Sequence, residues 1–343
     1  MRKVVVSFVI TLVVVIAAAY GGWRSLQSYL DTPLNLSQSH TIMVEQGSSF
    51  GRLASQLAAE GVMEKPDWFA FFIRLKKVGH LLKAGEYEIV PGTTPRTLLV
   101  QLVEGKIIAY NFTIIEGSTF KQLRESLKAN KQIKQTLDSK TDIELMTLLG
   151  LKDTHPEGMF LADTYQFHRG MTDFDLLKRA NALLQSELDK AWQTKADDLP
   201  YQSAYDALIM ASIVEKETAL SSERPAIAGV FVKRLKQGMK MQTDPTVIYG
   251  MGDRYKGNIT RADLRRPSPY NTYTISGLPP TPIAMVGREA IQAALHPENN
   301  KWLYFVAKGN GSHQFSATLA EHNKAVREYQ LRRRSDYRSS PGQ

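Results

Sequence analysis

Two glutamates stand two residues apart at the end of an apolar run, Leu208-Ile209-Met210-Ala211-Ser212-Ile213-Val214-Glu215-Lys216-Glu217-Thr218. If this run is a helix turning about 100° per residue, Ile209, Met210, Ile213 and Val214 make one stripe. Glu217 then falls close to its centre, and Glu215 points nearly the opposite way. A carboxyl on an apolar face loses hydration, so its pKa rises and it can hold a proton near neutral pH for delivery to a leaving oxygen. Glu217 is therefore a general-acid candidate. The competing reading is that it ends the helix, caps a neighbour or pairs with a buried arginine. Glu215 reads as an outward or salt-bridged residue.

Other chemistries find little support. The chain has no H-E-x-x-H, G-x-S-x-G, Walker A or G-x-G-x-x-G pattern. Its seven histidines show no tight metal spacing, so neither a metal nor another cofactor is expected. The densest polar loops are Met241 to Gly250 and Pro269 to Tyr273. Their mix of aromatic rings with amide, hydroxyl and carboxyl groups suits a carbohydrate, whose rings stack and whose hydroxyls need paired donors and acceptors.

The elements that must carry these groups begin with a repeated pattern. Val44-Glu45-Gln46-Gly47-Ser48-Ser49 leads to Leu53 and Leu57; Val90-Pro91-Gly92-Thr93-Thr94 leads to Leu98 and Leu102; Ile115-Glu116-Gly117-Ser118-Thr119 leads to Leu123 and Leu127. In all three the leucines lie six and ten residues after the glycine. Each reads as a strand, a glycine turn, a Ser/Thr N-cap and a helix with its leucines on one face. The first unit resembles the start of a LysM-type glycan-binding module, although capped βα units that bind nothing are also common. Trp68-Phe69-Ala70-Phe71-Phe72-Ile73 reads as a buried helix start. Longer helices are expected from Asp175 to Thr194 and Tyr205 to Thr218, then a buried strand over Trp302 to Ala307 and a closing helix over Leu319 to Leu331.

At the N-terminus Arg2 and Lys3 precede an uncharged run from Val4 to Trp23, and about 20 apolar helical residues cross a bilayer. The alternative is a cleavable signal peptide ending near Ala17-Ala18-Ala19, whose apolar core would usually be shorter, about 7 to 15 residues. Anchoring is the reading adopted, with Arg2 and Lys3 cytoplasmic and residues from about 24 onward outside. Residues 24–40, rich in Ser, Gln and Asn, read as a linker. The absence of cysteine excludes a lipobox, disulfides and Cys-based zinc sites. A net charge of +9 would suit nucleic acid, but an exported chain without an aromatic-interleaved basic motif is better matched to lipid headgroups or anionic wall polymers. Arg332-Arg333-Arg334 reads as a solvated helix end.

Several of these segments, in order, resemble the endolytic murein transglycosylases of the MltG or YceG-like family: Ala211 to Thr218, Phe231 to Leu235, Gln242 to Gly250, Tyr270 to Tyr273 and Gly277-Leu278-Pro279-Pro280. The family's E-G-x-x-x-P-D-T-Y segment is Glu157 to Tyr165 here, with Ala162 in place of the proline. Gly311 to Phe315 and Glu321-His322-Asn323 also look like the family, and bracing is their expected role. The resemblance maps the catalytic glutamate onto Glu217. It implies an α+β chain: a transmembrane anchor over 1–23, the linker 24–40, a LysM-like domain over 41–108, a helix-rich catalytic domain over 109–335 and a polar tail over 336–343. It further implies cleavage of peptidoglycan glycan strands between N-acetylmuramic acid and N-acetylglucosamine, with formation of a 1,6-anhydro end. Gln242, Thr243, Asp244, Tyr249, Asn271 and Tyr273 are then expected to orient the sugars. The enzyme would work without cofactor or metal in the periplasm, from a single-pass inner-membrane anchor and with cell-wall synthases (penicillin-binding proteins) as partners. Two rivals remain: a hydrolase of the same glycan using Asp244 or Glu215 as a second carboxylate, and a non-catalytic wall-binding scaffold.

Overall fold

A computed structural model describes residues 2–331 of the chain, so the Arg332-Arg333-Arg334 stretch and the polar tail lie outside the described residues. The chain divides into two units: Met1–Tyr110 with Phe167–Gly170, and Asn111–Gln166 with the chain from Met171 onward.

In the first unit, helix α1 (Arg2–Asp31) is the one helix among the described residues long and apolar enough to cross a membrane, with a mean hydropathy of 2.6 over its most apolar stretch. Its side chains from Val4 to Trp23 are exposed, but Leu26 and Leu30 are buried in the core of this unit together with Leu34. Arg96 fastens the same end, donating from Nε to Asp31 at 2.7 Å and from Nη2 to Gln27 at 2.7 Å. Helix α1 therefore takes up residues 24–31 of the expected linker over 24–40, and no helix or strand covers 32–39. Leu26 and Leu30, one turn apart, give the helix a buried face that holds it together past its polar neighbours.

Strand β1 (His40–Val44) pairs antiparallel with β2 (Gly85–Ile89), Ile42 opposite Tyr87. Between them lie α2 (Phe50–Ala59) and α3 (Pro66–Lys76), and after them α4 (Pro95–Glu104). Phe69, Phe72 and Ile73 of α3 are buried, as the aromatic cluster implied.

From Asn111 the second unit carries the rest of β3 (Tyr110–Thr113) and α5 (Phe120–Ala129), completing the third copy of the repeat. Gly47, Gly92 and Gly117 have φ of 79°, 89° and 73°, and Ser49, Thr94 and Thr119 cap the helices that follow. Glycine visits that left-handed region without the penalty a Cβ imposes. All six repeat leucines are buried. Next come α6 (Asp142–Leu148), β4 (Thr164–Phe167), which pairs with β3, and the long α7 (Asp173–Gln193).

Around α8 (Ala204–Glu217) gather α7, α9 (Arg224–Lys236), α10 (Asp244–Met251) and α12 (Arg288–Leu295); the short α11 (Arg261–Arg265) precedes α12. A hairpin of β5 (Tyr304–Ala307) and β6 (His313–Ser316) and helix α13 (Leu319–Val326) follow, the latter continuing as a π-helical turn over Arg327–Leu331. Only Val306 of β5 is fully buried, so this strand is half-buried and not the core strand expected.

Helix α8 also departs from expectation. It is buried on all sides from Ala207 to Glu215, not along one stripe, because helices pack around its whole circumference.

Candidate active site

Glu217 is the last residue of α8, and its half-buried side chain enters a cleft of about 660 Å³ within the second unit. The wall beside it is the chain between α9 and α10. Thr243 donates its hydroxyl proton to Glu217 Oε1. Thr243 is itself fixed: its N–H donates to Thr272 Oγ1 at 3.0 Å, and its carbonyl accepts from the Thr246 hydroxyl at 2.8 Å. Gln242, one residue earlier, holds φ of 52°, a left-handed conformation uncommon away from glycine, and its N–H donates to the Thr272 carbonyl.

Burial raises the Glu217 carboxyl to about 7; the Thr243 hydroxyl bond opposes this, the Asp244 charge adds to it, and the Arg234 charge opposes it. Its place in the last turn of α8, the negative end of the helix dipole, works in the same direction as burial. The carboxyl thus has protonated and ionised forms both accessible near neutral pH, the property a group needs to give a proton and take one back.

Asp244 shares the cleft and accepts from the Tyr273 hydroxyl at 2.6 Å. Arg234, buried on α9, donates to the Leu303 carbonyl at 2.7 Å and to that of Met241 at 2.6 Å, tying the hairpin side of the cleft to the loop that holds Thr243. Its guanidinium lies 5.1 Å from the centre of the Tyr304 ring, and the His322 imidazole is also stacked with that ring, at 5.2 Å. Burial, with the Arg234 charge, lowers the His322 pKa and so favours the uncharged imidazole. Its Nδ1 is buried without a hydrogen-bond partner among the described residues.

Of the residues expected to orient sugars, Gln242, Thr243, Asp244 and Tyr273 line the cleft with Glu217. Tyr249 and Asn271 do not. Asn271 is buried and spends its amide on the carbonyls of Asp263, Leu264 and Arg266, so it braces the loop. Tyr249 meets Tyr270 edge-on at 4.9 Å and stands beside Glu157, a buried carboxyl that accepts from the Phe120 N–H and that burial raises to about 7. Arg234, Tyr304, His322 and Asn323 line the cleft without having been singled out for it. His322 and Asn323 had been read as braces. His313 pairs through Nδ1 with Glu223 at 2.7 Å and also lines the cleft.

Glu215 faces away from this site. It is buried against Arg224 at 2.7 Å and accepts the Gly287 N–H at 2.9 Å, the salt-bridged alternative of the two expected for it. Burial pushes this carboxyl up as well, with Glu116 adding to the shift.

A cleft that carries one carboxyl near neutrality, set among hydroxyl, amide and aromatic groups on a mixed α and β scaffold, has the makings of a general acid/base site for a polar polymer. The chain belongs to the YceG-like family, whose model matches residues 42–328. It is 32% identical over 310 residues to an endolytic murein transglycosylase of Bacillus subtilis, covering 84% of each chain. It is 28% identical over 364 residues to one of Streptococcus pneumoniae, covering 96% of this chain and 65% of that protein. A crystal structure of a YceG-like protein from Listeria monocytogenes matches with a TM-score of 0.50 at 31% identity, over 84% of this chain and 99% of that one.

Proposed function

We propose that the protein is a peptidoglycan lytic transglycosylase held to the membrane by α1, with Glu217 as its one acid/base. Glu217 protonates the oxygen between N-acetylmuramic acid and N-acetylglucosamine, and the bond from that oxygen to the muramyl C1 breaks. The muramyl C6 hydroxyl attacks C1, and Glu217, now ionised, accepts its proton. The 1,6-anhydro bond forms, the carboxyl regains its proton, and no water is consumed. Gln242, Thr243, Asp244 and Tyr273 orient the sugars, and Tyr304 with His322 offers an aromatic wall. The cut falls within strands and trims or ends them as they grow beside membrane-bound synthases, on the periplasmic side.

The observation that carries this reading is the pairing of one near-neutral carboxyl in the cleft with the sequestration of the other. Glu215, tied to Arg224 and Gly287, is not free to serve as a second carboxylate. The order β1, α2, α3, β2 supports the LysM-like reading of the first unit.

Asp244 keeps the hydrolase alive as a second reading, because it lines the same cleft. Paired-carboxylate glycosidases use one group as acid and the other as nucleophile or base. Mass spectrometry of fragments released from wall glycans separates the two. Anhydro ends are expected, and reducing ends alone would make the enzyme a hydrolase.

A further inference from the structure

Helix α1 crosses from exposed apolar residues into the core of the first unit without a break. Trp23 is 49% exposed and Leu26 is 5% exposed, and three residues of helix advance about 4.5 Å. Tyr20 and Trp23 are of the kind that settle at the headgroup level. On either side of a bilayer's hydrocarbon core the headgroup layer is roughly 5 to 8 Å thick. With α1 as the anchor and Trp23 at the headgroup level, the core of the first unit begins within that layer, which brings a face of this unit to lipid.

One face suits that contact. On α3, Trp68, Phe71 and Leu75 fall at i, i+3 and i+7, on one side of the helix. Trp68 packs edge-on against Tyr29 at 5.9 Å, which ties the start of the stripe to the part of α1 that enters the core. Phe71 is 56% exposed, Leu75 49% and, just beyond the helix, Leu81 39%. From Lys65 to Lys83 the chain carries five cations, Lys65, Arg74, Lys76, Lys77 and Lys83, against one acid, Asp67. Exposed aromatic and aliphatic side chains among cations are the composition of a surface that rests in an anionic interface.

We propose that the α3 face of the first unit docks on the anionic lipid headgroups of the leaflet from which α1 emerges, so that the unit lies on the membrane and does not swing above it. This rests on the reading of α1 as an anchor.

The chain has no cysteine, so single cysteines report without background. Full-length Val13→Cys, Phe71→Cys and Glu88→Cys variants would each carry a polarity-sensitive dye in vesicles of phosphatidylcholine with or without phosphatidylglycerol. Glu88 lies on β2 with its side chain exposed, between the buried Tyr87 and Ile89. Docking predicts that the dye at 71 is blue-shifted and several-fold less quenched by aqueous iodide than at 88 in phosphatidylglycerol vesicles. Adding Lys76→Glu with Lys77→Glu should restore quenching at 71. Equal quenching at 71 and 88 with position 13 protected would overturn docking and leave the anchor intact. An accessible position 13 would overturn the anchor and docking with it. Protection at 71 that appears only when glycan strands are added would assign this face to the sugar and sink the proposal.

Discussion

At the residue scale the proposal narrows to Glu217 and the hydroxyl that touches it. Glu217→Gln keeps size but cannot deliver a proton, and general acid/base catalysis contributes about 10²–10⁴-fold, so cleavage should fall by that factor in a protein whose circular dichroism is unchanged. Wild-type release of anhydro fragments by that variant would dismiss the assignment. Glu215→Gln should differ in kind. It weakens a buried ion pair, so the melting temperature should drop by several degrees while activity per folded molecule is largely kept.

Thr243→Val tests the pH dependence. The general acid must be protonated, so activity should decline as pH rises through about 7, where burial places Glu217. The Thr243 hydroxyl favours the ionised carboxyl, so removing it raises the pKa, and the declining limb should move to higher pH, on the order of one unit. A limb that stays in place or moves down would separate Glu217 from the profile.

At the element scale, the three glycine turns were legible because their requirement is local: a left-handed residue, a cap two residues on, and leucines one helical turn apart. The same locality makes a graded prediction. Around Gly92 an added methyl meets open space, so Gly92→Ala should cost about 1 kcal/mol for its positive φ alone. At Gly158, φ is 77° and the methyl would strike the Pro282 ring, so Gly158→Ala should cost more than about 2 kcal/mol in denaturant unfolding. Equal losses would refute that difference.

What the sequence hid is what depends on distant packing. The phase argument selected Glu217, yet α8 is enclosed all round, so its apolar residues report burial and not a face. What distinguishes Glu217 is its position at the end of the helix, where the enclosure opens into the cleft. Tyr304 and His322 come to that cleft from segments some 90 to 105 residues further along the chain, and no spacing rule announces them. Tyr249 and Asn271 sat in the right loops, but Asn271 was claimed by backbone carbonyls and Tyr249 by the Glu157 cluster. The helical start of the expected linker was missed for a related reason: Leu26 and Leu30 were outnumbered by polar neighbours, although their spacing was that of a buried helical face.

At the scale of the whole molecule, the proposed anchoring would make α1 join membrane attachment to the folding of the first unit. The protein should stay with membranes through alkaline carbonate extraction and keep its N-terminal residues. A mature chain beginning at Tyr20 would show that the helix is cleaved. Truncation before Leu34 should also destabilise the first unit, since Leu26 and Leu30 would leave its core.

Arg224 has a consequence of another kind. Its guanidinium meets carboxylates from three separate stretches of the chain: Glu215 at 2.7 Å, Glu289 at 2.9 Å and Glu116 at 3.0 Å. Of these Glu215 is enclosed, while Glu116 and Glu289 face solvent. Losing Arg224 strands the enclosed Glu215 carboxyl, which costs about 3–5 kcal/mol, and losing Glu215 leaves Arg224 with only its two solvent-facing partners, whereas replacing both enclosed groups with apolar ones of similar volume is often neutral. In a double-mutant cycle, Arg224→Met with Glu215→Leu should therefore be less harmful than the sum of the two single changes, and additive losses would deny the coupling. The path between the charged and apolar versions of this hub runs through a valley, so lineages should cross it in paired steps, with positions 215 and 224 inherited as a unit while 116 and 289 drift more freely.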